Sequence, residues 1–89
     1  MAIVYLARID PSDYELVRGI INDDLPNPYE MWLNFQAKGE VDCRRQGRTV
    51  SHIPIDPNEL ARYCGMHGGH RSHYGLLDFV KKKSEGNNY

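Results

Sequence analysis

Apolar residues fall in two strand-like runs and four helix-like stripes, and each strand-like run leads into an Ile-Asp-Pro turn. In the first run, residues 3–9, Ile3, Tyr5, Ala7 and Ile9 share one face while Val4, Leu6 and Arg8 share the other. Apolar side chains on both faces predict a strand covered on both sides. Residues 49–55 form a weaker run rich in β-branched side chains. Pro54 confines it to an edge or an end, because proline cannot donate to a ladder.

Helix starts are marked by a repeated device. Asp10-Pro11-Ser12-Asp13, Asn27-Pro28-Tyr29-Glu30 and Asp56-Pro57-Asn58-Glu59 each run cap, proline, any residue, acid. An Asp or Asn cap accepts from a backbone N–H that the first turn leaves unpaired. Proline at the first helical position gives up only an N–H that has no helical partner. The acid can reach back to the cap and meets the positive pole of the helix dipole. The device is general and identifies no family.

These signals predict a helix over 11–22 with Tyr14, Val17, Ile20 and Ile21 on its inner stripe. A second helix is expected over 28–46, with Met31, Trp32 and Phe35 as its apolar face and Arg44 and Arg45 at its negative end. Gly47 suits its stop, although Gly39 inside it costs about 1 kcal/mol relative to Ala. The rival reading of this segment is a three-stranded meander with turns at Lys38-Gly39 and Gln46-Gly47. The helix leads because its start and stop signals agree. A third helix over 57–64 buries Leu60, Tyr63 and Cys64, and a fourth over 72–83 turns Leu76, Leu77 and Val80 inward.

The expected fold class is therefore α+β in the order β-α-α-β-α-α, with a small two-stranded sheet and about four helices. The connection between the strands is long enough for a parallel crossover, which leaves strand direction open. Residues 1–83 should form one compact domain and 84–89 a flexible C-terminal tail. Two strands alone make a marginal sheet. A first strand apolar on both faces exceeds what one subunit's helices can cover. A homodimer that pairs or stacks these strands would resolve the mismatch.

Composition fits this picture. Of 89 residues, 40% are hydrophobic and 26% charged, which suits a small globular core rather than a disordered chain. The chain start lacks the basic leader and cleavage site of a signal peptide, and no apolar run approaches the ~18 residues of a membrane span. Cys43 and Cys64 are too few for a disulfide scaffold and read as reduced thiols, so a cytoplasmic location is expected. The net charge of −1 hides an asymmetry. Through Asp42, three Lys/Arg stand against eight Asp/Glu (−5), and from Cys43 onward eight stand against four (+4).

The sharpest chemical cluster is Cys64, His67, His70 and His73, spaced every third residue. One thiolate and three imidazoles form a candidate set for zinc. A contiguous stretch aims four ligands at one point only with difficulty, so the bland alternative is a loop with Cys64 in the core and no cofactor. Cys64 with His67 lacks a third group and an oxyanion hole. The thiol also sits at a helix C-terminus, where the dipole opposes a thiolate. Catalysis is therefore not expected.

Nucleic-acid binding would rest on Arg44, Arg45, Arg48, Arg71, Lys81, Lys82 and Lys83, if helix packing brought them to one face. Cations favour helix C-termini without any ligand, which accounts for several of them. Trp32, in the densest aromatic group, is expected in the core and becomes a partner-binding candidate where it is exposed. The leading functional expectation is a non-catalytic interaction or accessory module acting as a homodimer with no membrane association. A metal-binding or nucleic-acid-binding protein using the basic, His-rich C-terminal half is the alternative.

Overall fold

A computed structural model describes residues 2–66 and 71–89. The elements run β1 (Ile3–Arg8), α1 (Tyr14–Ile20), α2 (Tyr29–Arg45), β2 (Thr49–Pro54), α3 (Pro57–Met66) and α4 (His73–Ser84). This is the α+β order expected, with 29–45 helical and the meander excluded. The two strands pair in parallel, with Ile3 opposite Thr49 and Arg8 opposite Pro54.

Of the three Asx-Pro starts, only Asp56 caps an α-helix. Its Oδ1 accepts from Asn58 N at 2.9 Å and its carbonyl from Leu60 N at 3.0 Å. Asp10 caps a single turn instead: Oδ1 accepts from Ser12 N and Oγ at 3.0 and 2.7 Å, and α1 begins only at Tyr14. In the middle motif the Asn27-Pro28 bond is cis and Pro28 itself is the N-cap, without a side-chain bond. Ser72 caps α4 with a long bond from Gly75 N, 3.5 Å.

The core joins Tyr14, Val17 and Ile21 of the α1 region to Leu60, Tyr63 and Cys64 of α3 and to Leu76, Phe79 and Val80 of α4. Ala7, Ile9 and Ile55 add the strand contribution. Fully burying a side chain such as Phe79 or Leu60 stabilises by about 1.5–3 kcal/mol. The inner stripe of α4 differs from expectation by one residue: Phe79 is buried and Leu77 is 45% exposed. A helical stripe recurs at three and four residues, so Leu76, Phe79 and Val80 share one face and Leu77 falls on its margin.

Two other expectations change. The first strand is covered less than its composition implies: Ala7 is its one buried residue, and Ile3 is 52% exposed. Residues 84–89, expected as a free tail, turn back onto the domain. Tyr89 packs edge-on against Tyr63, with centroids 4.8 Å apart, and its N–H donates to Glu59 Oε2 at 2.8 Å. The sequence pattern has Glu59 reach back to its own cap. It is buried and instead ties the chain end and Lys83 to α3.

Candidate functional site

The sheet has two outer edges, and the ladder fixes which backbone groups face them. Thr49 N donates to Ala2 O at 3.1 Å and Ile55 N to Arg8 O at 3.0 Å. In this parallel register the even residues of β1 turn both N–H and C=O toward β2, and the odd residues turn theirs outward. By the same rule Val50, His52 and Pro54 face the outer edge of β2, where the N–H that proline lacks is not missed.

Helix α2 closes half of the β1 edge. Gln36 Nε2 donates to Ala7 O at 2.7 Å and Tyr29 Oη donates to Ile9 O at 2.6 Å. Farther along, Glu40 Oε1 lies 3.0 Å from His52 Nε2 and 3.9 Å from Arg44, neither contact having hydrogen-bond geometry. The inward stripe of α2 is therefore Tyr29, Trp32, Gln36, Glu40 and Cys43, three and four residues apart. Met31 and Phe35, expected on the buried face, are 54% and 58% exposed. A helix docked along a strand edge meets unpaired carbonyls, which need donors rather than hydrocarbon. The donors stop at Gln36. Toward the start of β1, the outward N–H and C=O groups of Ile3 and Tyr5 have no partner among the described residues.

A second feature lies on the other flank of α2. Asn22 and Asp23 adopt left-handed backbone, φ 56° and 59°, which short polar side chains tolerate better than most. The reversal carries the chain back past the start of α4. There Asn22 Nδ2 donates to Arg71 O at 3.2 Å and Asp24 Oδ2 accepts from His73 N at 2.7 Å. The latch forms a cleft of about 270 Å³ lined by Asp24, Leu25, Pro26, Trp32, Phe35, His73 and Tyr74. The Phe35 and His73 rings stand edge to face, with centroids 6.4 Å apart, and His73 and Tyr74 lie 6.2 Å apart at 56°.

The residues singled out from sequence are distributed as follows. Trp32 is 4% exposed and packs against Tyr14 and Tyr29, with centroids 5.6 and 5.8 Å away. It is a core residue that lends only part of its surface to the cleft. Cys64 is buried, and burial pushes its thiol above the ordinary range against the pull of Arg71. His73 is half-buried at the start of α4, while His67 and His70 lie outside the described residues. Among the described residues no three His, Cys, Asp or Glu side chains converge as a metal site.

The basic residues belong to different elements, with Lys81, Lys82 and Lys83 in the last turn of α4. Arg44, Arg45 and Arg48 sit where α2 feeds the start of β2. Lys83, at the end of α4, pairs with Glu59 of α3 at 2.9 Å. Arg71 holds the Ile20 carbonyl at 3.3 Å. Sequence reasoning missed Gln36, gave Tyr74 only as a stacking surface for nucleic acid, and gave Asp24 only as a helix-end carboxylate. Gln36 carries a signal in hindsight, as a polar residue at the stripe position after Trp32. Asp24 and Tyr74 meet only through tertiary contact.

No described helix is long and apolar enough to cross a membrane. No protein-family model, curated protein or solved structure matches the chain.

Proposed function

We propose that the chain is a non-catalytic interaction module that acts as a homodimer joined through the outer edge of β1. One observation carries this reading: the outward backbone groups of Ile3 and Tyr5 are unpaired among the described residues, beside an Ile3 side chain that is 52% exposed. An unprotected apolar edge is a template for another strand. A twofold axis through Val4 would set Ile3 opposite Tyr5 of the second copy, and Tyr5 opposite its Ile3. The result is an antiparallel pairing and a four-stranded sheet. The half-buried Val4 and Leu6 would gain cross-strand neighbours in the same step. The β2 edge is the weaker template, because Pro54 removes a donor and the Glu40 carboxylate, 3.0 Å from His52, puts charge near it.

Amide hydrogen exchange tests the reading at the atoms concerned. The Ile3 and Tyr5 N–H groups should be protected at high protein concentration and lose protection on dilution, while Val4 and Leu6, bonded to β2, stay protected throughout. Fast exchange at Ile3 and Tyr5 at every concentration would exclude the pairing.

A further inference from the structure

We propose that the cleft between α2 and the start of α4 binds a methylated ammonium cation between the Phe35 and Tyr74 rings and the Asp24 carboxylate. Phe35 and Tyr74 are 58% and 75% exposed and take no part in the core, so packing does not explain two aromatic side chains at one opening. Their planes meet that of His73 at 80° and 56°, so the three rings that line the opening are tilted against one another and do not form one flat stack. Trp32 adds a third aromatic surface from below.

The described lining holds one carboxylate, that of Asp24, beside the imidazole of His73, and among the described residues no Lys or Arg lines it. The nearby Arg18 guanidinium is engaged with Leu25 O at 3.4 Å and Glu15 at 3.1 Å. Arg71, close by in sequence, turns its guanidinium to Ile20 O instead. A phosphate or carboxylate ligand would meet Asp24 with no lining Lys or Arg among the described residues to offset it. A cation meets both a carboxylate and the negative faces of aromatic rings. Methyl groups spread the charge and lower the cost of removing water, which favours a methylated ammonium over the strongly hydrated primary amine. The volume, about 270 Å³, is below that of sites for drug-sized ligands and suits a headgroup with a few methylenes.

Asp24 holds its position without the ligand, because Oδ2 already accepts from His73 N at 2.7 Å. The charged wall is thus set before binding, and little ordering remains to oppose it.

The test is a titration of the full chain, followed by the Trp32 indole and Tyr74 ring resonances. The probes are choline, a trimethyllysine peptide, the same peptide with unmodified lysine, and the neutral carbon isostere of choline. The expected result is saturable binding of choline or of the trimethyllysine peptide. The isostere and the unmodified peptide should bind more weakly, and the tighter cation identifies whether the source is a free metabolite or a modified chain. Tyr74→Ala should weaken binding by about threefold to tenfold. Asp24→Asn keeps an acceptor for His73 N and should weaken binding while lowering the melting curve only slightly, through the lost charge at the start of α4. Absence of saturable cation binding, equal binding of the neutral isostere, or binding indifferent to Tyr74→Ala would each overturn the proposal.

Discussion

Gln36 donates its side-chain amide to the Ala7 carbonyl at 2.7 Å, so a helix side chain stands where a third strand would bond β1. This contact sets where the closed part of the edge ends and the open part begins. Gln36→Leu keeps the volume and removes the donor, leaving a partly shielded carbonyl unsatisfied. It should cost about 1 kcal/mol in urea unfolding. A loss within error of zero would mean that water serves Ala7 equally well and that α2 does not seal the edge.

Glu59 supplies a pH dependence. Burial raises its pKa, but the Tyr89 N–H and the Lys83 ammonium outweigh burial and hold the carboxyl below its ordinary 4.5. A depressed folded value means stability present above pH 4.5 and lost as pH falls through the folded value. Glu59→Gln should therefore flatten the decline in unfolding midpoint below about pH 4.5. Lys83→Met, which leaves the carboxylate with one donor fewer, should cost about 2 kcal/mol at neutral pH. An acid limb unchanged in Glu59→Gln would show that another carboxylate controls it.

Two tyrosines contribute to the alkaline limb, beside the raised thiol of Cys64. Burial raises both Tyr14 and Tyr63 above the ordinary 10.0, and for Tyr63 the Asp78 carboxylate that accepts its hydroxyl adds to the effect. The Tyr14 hydroxyl donates to Pro26 O. Raised folded values mean stability that is complete below pH 10 and is lost above it, where the unfolded chain ionises first. Tyr63→Phe should make the high-pH decline shallower while lowering neutral stability by about 1 kcal/mol. Denaturation followed by tyrosinate absorbance separates these effects.

Cys64 and Cys43 should differ in reactivity. Both thiols are free, Cys64 being buried with its thiol pushed up and Cys43 half-buried on α2. Disulfide-exchange labelling of the native chain should modify Cys43 first, with Cys64 following only as the fold opens. Equal rates would show that the region around Cys64 opens far more readily than its packing implies.

Sequence patterning located all the elements, because strand alternation, helix stripes and Gly or Pro boundaries are local signals. It failed where tertiary contact decides. The Asp56 signal holds because its own cap bonds start α3, whereas Asp10 satisfies a turn and leaves α1 to begin at Tyr14. In α2, apolar Met31 and Phe35 marked the inner face, yet the strand edge selected Tyr29 and Gln36 as donors. The cleft was invisible for the same reason. Asp24 and Tyr74 lie fifty residues apart and meet only because Asn22 and Asp23 turn the chain back onto α4.

The open edge of β1 is the central claim, and native mass spectrometry of the wild type beside Ile3→Pro tests it most directly. The Ile3 N–H points outward, so proline at this position blocks the edge without breaking a bond to β2. The wild type should appear at twice the chain mass and Ile3→Pro at the chain mass, with matching circular dichroism. A wild type found only at the single-chain mass, or an Ile3→Pro variant that remains a dimer, would contradict pairing through this strand.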